Sequence, residues 1–241
     1  MPTGTRQPSR TIALGGGGVV IETPNPGGPD SPLFAAVGVA SVVDAMAERG
    51  ADGIIEGPRS ILGSGVFIGP AVTIRFGEPA PDGPQDAQEV WKVVDGAAAG
   101  SVLVLAADGD EISTLGGVTA GTAAARRLAG ALTNGLIRDT DEIEGYGFPV
   151  RYRRAHPRAF RGSCRGTGVP VLIGGVEISP GDLIVSDRDG AVRVPRADAA
   201  AVMERAYAIE NLERLWVDHA RAYRSIAAGY QEVARRFGSP H

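Results

Sequence analysis

The stretch that most constrains this chain runs from Gly117 to Glu142: a glycine, twenty intervening residues, then Arg138-Asp139 with an acid three places on at Glu142. Ala120, Ala123, Ala124, Leu128 and Ala131 recur at helical spacing, which predicts a small-residue helix packed closely against a sheet. Gly116-Gly117 falls at its N-terminus, where unpaired backbone N–H groups and the positive end of the helix dipole favour a carboxylate or phosphate. A turn at Thr133-Asn134-Gly135 and the apolar pair Leu136-Ile137 then read as a short strand that delivers Arg138 and Asp139 to its carboxyl end. A cation beside an anion there suits an anionic ligand held together with a metal. The plainer reading of the same charges is a surface turn with an exposed ion pair.

Composition narrows the chemistry. A net charge of −4 argues against a general nucleic-acid binder, which needs a basic face. With a single cysteine, Cys164, no internal disulfide forms, and three scattered histidines give no Cys/His zinc cluster. Any metal is therefore expected to be oxygen-bound, which favours Mg2+ or Mn2+. No apolar run reaches the roughly 18 residues of a membrane span and no secretory leader pattern opens the chain, so a cytoplasmic protein with no membrane partner is expected.

At 241 residues one large domain with terminal extensions is the simplest organisation: a Gly/Pro-rich flexible arm over 1–35, a core over 36–195 and a helical tail over 196–241. Gly15 to Gly18 invite a dinucleotide-loop reading, but no helix follows them, so an arm or hairpin is preferred. Ser41 to Arg49 and Val90 to Ala98 read as helices; Ile54-Ile55, Val66 to Ile74, Val102 to Ala106, Val169 to Ile173 and Leu183 to Val194 read as strands. Asp187 and Asp189 look like turn formers beside Gly190. The run Arg151-Tyr152-Arg153-Arg154 could touch RNA, but a solvated or inter-subunit strand fits the negative net charge better. From Arg196 to about Phe237 the chain reads as helical, with Met203, Ala206, Leu212, Leu215 and Trp216 roughly on one face, expected to pack on a neighbouring subunit.

The glycine, the twenty-residue gap and the Arg-Asp-x-x-Glu ending resemble the signature of the class II pyruvate aldolases of the 4-hydroxy-4-methyl-2-oxoglutarate aldolase group, which shares its fold with the regulator of ribonuclease activity A proteins. Other pieces agree in order over roughly positions 38 to 205: Val43-Asp44-Ala45-Met46 with Gly50, Gly69-Pro70-Ala71-Val72-Thr73, Gly174-Gly175-Val176, Pro180-Gly181-Asp182, Asp187 and Asp189-Gly190. The resemblance implies an α/β fold, a swivelling α/β/β sandwich with a C-terminal helical tail. A homotrimer or dimer of trimers goes with it.

By the same resemblance Asp139 would be the direct metal ligand, and Arg138 would donate to the keto and developing enolate oxygen. The turn Gly116, Gly117, Val118 and Thr119 would hold the substrate carboxylate through backbone amides, and Glu142 would hold metal-bound water or support the metal from behind. Glu210 or Glu213 would reach an adjacent subunit's pocket. Val118 stands where many relatives carry an acid, which leaves the proton-transfer group open. The implied activity is a lyase that cleaves a 4-hydroxy-2-oxo acid to pyruvate with Mg2+ or Mn2+, with oxaloacetate decarboxylation through the same enolate. The alternatives are a non-catalytic regulator that binds a ribonuclease, a branch in which the metal-binding Asp is replaced, and a tailoring lyase of a specialised pathway. A Schiff base is unattractive because the lone lysine, Lys92, lies on an expected helix near an exposed loop.

Overall fold

The computed structural model describes residues 10–13, 20–23, 37–78, 87–158 and 162–237, so the Gly15 to Gly18 run lies outside the described residues. In chain order the strands are β1 (Arg10–Ala13), β2 (Val20–Thr23), β3 (Ser60–Leu62), β4 (Phe67–Gly77), β5 (Val102–Ala107), β6 (Ser113–Leu115) and β7 (Gly130–Ile137). They continue as β8 (Val150–Ala155), β9 (Ser163–Thr167), β10 (Val171–Ile173), β11 (Val176–Ile178), β12 (Leu183–Ser186) and β13 (Ala191–Val194). The helices are α1 (Val39–Ala47), α2 (Ala87–Gly96), α3 (Gly117–Ala125), α4 (Thr140–Gly145), α5 (Ala199–Tyr223) and α6 (Ile226–Phe237). Two compact units result, Asp52–Ala199 and Met1–Ala51 with Ala200–His241.

The Asp52–Ala199 unit is built on a mixed sheet in the order β13-β12-β4-β5-β7-β8-β3, with β6 beside β7 and β9 beside β4. β4, β5, β7 and β8 run parallel, while β12, β13 and β3 add antiparallel edges. A parallel strand is covered on both faces and therefore reads as a continuous apolar run. β5, Val-Leu-Val-Leu-Ala-Ala, is buried at every position. Its alternation sorts the two sides: Leu103, Leu105 and Ala107 meet Val90 and Val94 of α2, Ala120 and Ala123 of α3 and Ile143 of α4. Val102, Val104 and Ala106 instead meet Val171, Ile173, Ile178 and Ile184 from β10, β11 and β12. Helices lie on one face and strands on the other, an α/β/β sandwich, and each fully buried Leu or Val contributes about 1.5–3 kcal/mol.

Several local expectations change. Thr133-Asn134-Gly135 is not a turn but the middle of β7, where pairing with β8 slips between Thr133 and Leu136. Asn134 supplies the reason: its Oδ1 accepts the Ala107 N–H at 2.7 Å and its Nδ2 donates to the Ala107 carbonyl at 3.0 Å, standing in for a strand partner at the end of β5. The helix begun at Gly117 stops at Ala125, and Arg127 takes φ 60, so Leu128 and Ala131 belong to the approach to β7 and to β7 itself. Ile54 contributes only an isolated bridge to Val192, and β3, β6 and β9 were not anticipated.

In the other unit, the helical segment expected to about Phe237 is a hairpin of α5 and α6. Arg224 takes φ 50 between α5 and α6, Gly229 seats directly on Ala220, and Trp216 meets Tyr230 edge-on with ring centroids 5.3 Å apart. Arg205 of α5 grips Glu48 through Nε and Nη2 at 2.7 and 2.6 Å, just beyond α1.

The start of β7 gives a direct check on how tightly the sheet is packed. A Cβ on Gly130 would lie 2.6 Å from Cγ of Phe67 and 2.8 Å from the Pro149 carbonyl oxygen. Gly130→Ala is expected to cost about 1–3 kcal/mol by overpacking, seen as a lower denaturation midpoint at unchanged m. An unchanged midpoint would contradict this packing.

Candidate active site

The site is assembled where β7 ends. Arg138 donates its backbone N–H to the Leu115 carbonyl at 3.1 Å, which fixes the strand end, and the next residue, Asp139, adopts φ 61 and ψ 40. This left-handed conformation is unusual for a residue with a Cβ, tolerated best by Asp and Asn, and costs on the order of 1–3 kcal/mol. Its consequence is that the Asp139 side chain turns back onto the start of α3. There the Gly117 N–H donates to Oδ2 at 2.9 Å, and Arg138 Nε donates to the same oxygen at 3.1 Å. Gly116, the residue before α3, has no side chain to cap it, so Asp139 provides the cap from 22 residues away.

Both glycines allow a close approach. A Cβ on Gly116 would sit 3.1 Å from Asp139 Oδ2, and one on Gly117 would overlap the Glu142 carboxylate and lie 3.3 Å from Asp139 Cβ. Glu142, on α4, has the Tyr146 hydroxyl 3.5 Å from Oε2. Arg138, Asp139 and Glu142 line one cavity of about 420 Å3, together with Ala155, His156 and Pro157. The Gly117 N–H, first, and then Arg138 hold the Asp139 carboxyl below its ordinary pKa, while burial pulls the other way.

The residues singled out by sequence fare differently. Arg138, Asp139, Glu142, Gly116 and Gly117 come together. The Gly117 amide is engaged by Asp139, which leaves the Val118 and Thr119 amides at the helix start. The Val118 side chain is 80% exposed and, with Thr119, Trp91 and Val94, lines a separate pocket of about 280 Å3. Glu210 accepts hydrogen bonds from Ser41 Oγ at 2.6 Å and from the Gly38 N–H at 3.4 Å, both within its own chain, and Glu213 is half-buried on α5. Asp187 Oδ1 accepts the Asp189 N–H at 2.9 Å, a turn as expected.

The arginine run is neutralised from within. Arg153 bonds Asp110 at 2.6 Å and Arg154 bonds Glu111 at 2.8 Å, while buried Arg151 donates to Ser186 Oγ at 2.9 Å. His156 was missed. Its proximity depends on the parallel register that sets Ile137 beside Ala155, which no local pattern discloses.

An oxygen-loving divalent ion would find two carboxylates at this corner. Asp139 Oδ2 is occupied by two N–H donors, so Oδ1 and the Glu142 carboxylate are the oxygens to offer, and the described residues hold no cluster of three or more metal-ligating side chains. Mg2+ is commonly held by one or two carboxylates, with water and ligand completing its shell.

The fold is that of an α/β protein with a guanidinium and a carboxylate at the carboxyl end of a parallel strand, against a helix start and beside a cavity of small-molecule size. Residues 39–193 match the family model described as RraA-like, Aldolase/RraA, and the chain belongs to that family. A relative from Halalkalibacterium halodurans named "Putative 4-hydroxy-4-methyl-2-oxoglutarate aldolase" is 33% identical over 141 residues, which are 58% of this chain and 64% of that relative. Among solved structures, an uncharacterized protein from Pseudomonas syringae pv. tomato matches with TM-score 0.71 and 27% identity over 83% of this chain and 92% of that one. Streptomyces coelicolor RraAS2, described as an unusual member of the RNase ES inhibitor RraA family, matches with TM-score 0.66 and 29% identity over 77% and 96%.

The lowered pKa has a definite sign. A depressed carboxylate contributes stability that is fully present above the unfolded value of about 3.9 and is lost as pH falls through the lower folded value. Carboxyl NMR should therefore show Asp139 titrating below about 3.9. A midpoint at or above that value would contradict the Gly117 contact.

Proposed function

We propose that this protein is a carbon–carbon lyase that cleaves a 4-hydroxy-2-oxo acid to pyruvate by a retro-aldol reaction, with Mg2+ or Mn2+ at Asp139, and that it also decarboxylates oxaloacetate. The observation that carries the reading is the convergence of Arg138, Asp139 and Glu142 on one cavity at the end of β7, where Asp139 also receives the first amide of α3. The aldolase name borne by the Halalkalibacterium halodurans relative supports it.

Both reactions leave an enolate of pyruvate, so the barrier falls when charge growing on the keto oxygen is stabilised. A bound divalent ion would supply Lewis-acid stabilisation of that oxygen. In this chain Asp139 Oδ1 would hold the ion, and Glu142 would fix a water beside it. Arg138 spends Nε on Asp139, which aims the remaining guanidinium N–H groups at the keto oxygen. The Val118 and Thr119 amides, which have no acceptor among the described residues, would hold the substrate carboxylate. A trimeric assembly is part of the proposal, because α5 and α6 expose Val217, Tyr223 and Ile226. Light scattering on the purified chain would show a trimer or hexamer; a fully active monomer would remove that element.

A ribonuclease-regulator role draws on the RraA-like family description and on the likenesses to RraAS2 and to a solved structure described as the RNA-processing inhibitor RraA. It would gain ground if the protein inhibited a ribonuclease equally with and without metal.

Pyruvate release from a 4-hydroxy-2-oxo acid is expected to require Mg2+ or Mn2+ and to stop in EDTA. Arg138→Lys should lose about 10²-fold or more in kcat, the usual cost of removing a donor aimed at developing charge, because an ammonium does not reproduce the fork. Asp139→Ala should lose activity and metal dependence together. Equal turnover in chelator and in metal would sink the reading.

A further inference from the structure

His156 is the one polar side chain in the cavity that comes from the strand beside the Arg-Asp corner. The parallel register pairs Ile137 with Ala155, so the next residues along, Arg138 and His156, leave adjacent strand ends together. Its backbone N–H donates to the Ile137 carbonyl at 2.8 Å, which makes its position part of the sheet ladder and not of the loop that follows. The ring lines the same cavity as Arg138, Asp139 and Glu142.

The protonation pattern of the ring is set by a backbone contact. The Arg158 N–H donates to His156 Nδ1 at 3.1 Å, through the turn made at Pro157. A nitrogen that accepts an N–H carries no proton of its own, so the neutral ring bears its hydrogen on Nε2. Among the described residues Nε2 has no partner. The cavity thus holds an imidazole Nε2 beside one arginine, whose Nε is already directed to Asp139, and the carboxylates Asp139, Asp141 and Glu142.

We propose that His156 recognises the hydroxyl-bearing end of the substrate, its Nε2–H donating to the oxygen on C4, an assignment that rests on the lyase reading for the identity of the ligand. Two features choose that oxygen. Arg138 and Asp139 engage the oxo-acid end at the tip of β7, and His156 is one strand away, about 4.8 Å in a sheet. That offset suits two oxygens borne by carbons two bonds apart, as C2 and C4 are. The substrate carboxylate is drawn more strongly to the cationic Arg138 and the helix start, which leaves the hydroxyl oxygen for the imidazole N–H.

Binding to ligands that cannot be cleaved tests the assignment apart from turnover. Titration calorimetry with Mg2+ present would compare 2,4-dihydroxyglutarate with 2-hydroxyglutarate, which differ only at C4 and lack the keto group. The wild type should prefer the dihydroxy acid about tenfold, the worth of one well-made hydrogen bond. His156→Phe should erase the preference while the affinity for 2-hydroxyglutarate stays within about threefold, and His156→Gln, which retains an N–H donor, should keep part of it. A wild type with no preference, a preference that survives in His156→Phe, or equal weakening of both ligands would overturn the assignment. A wild type that shows the preference and yet releases no pyruvate would sink the lyase reading and leave His156 as the reader of a C4 oxygen.

Discussion

Oδ2 of Asp139 receives the first amide of α3 and the guanidinium of its neighbour Arg138, and through those two bonds one carboxylate oxygen joins a helix start to a strand end. Nearly everything about the site depends on that junction. Because Gly116 offers no cap of its own, α3 begins well only if Asp139 supplies one. For the carboxylate to reach, the chain must turn sharply at the end of β7, and it does so by placing Asp139 itself in a left-handed conformation. The strain is held by a sheet whose parallel strands are buried on both faces, so the strand end has little freedom to relax.

The same junction divides the labour of the polar groups. An oxygen that accepts two N–H groups stays ionised and fixed, and its companion Oδ1 remains to face the cavity. Glycines at 116 and 117 let backbone and carboxylates approach closely, since a Cβ at 117 would displace the Glu142 carboxylate from its place. Charge is therefore concentrated without a buried unpaired ion, and the cavity receives acids from β7 and α4 and a neutral imidazole from the end of β8.

Much of this was legible in the chain. The pattern of Gly117, Arg138 and Asp139 points to a helix start near a strand end, and the unbroken apolar run of Val102 to Ala106 points to a buried strand. What stayed hidden was set by tertiary contacts. Thr133-Asn134-Gly135 has the composition of a turn, yet Asn134 bonds Ala107 across the sheet and keeps the segment extended. Gly117 looks like an open amide until Asp139 closes on it. His156 has no local signal because strand register, not spacing, brings it beside Arg138. The C-terminal helical segment shows an apolar stripe in sequence, but its break at Arg224 follows from a hairpin in which Gly229 lies against Ala220.

The most direct measurement is the binding of oxalate, a planar mimic of the pyruvate enolate, by titration calorimetry with and without Mn2+, in the wild type and in Asp139→Ala. If Asp139 Oδ1 and Arg138 form an enolate site completed by a divalent ion, oxalate should bind the wild type only when Mn2+ is present and should not bind Asp139→Ala in either condition. Oxalate binding of equal strength without the metal, or undiminished in Asp139→Ala, would contradict it.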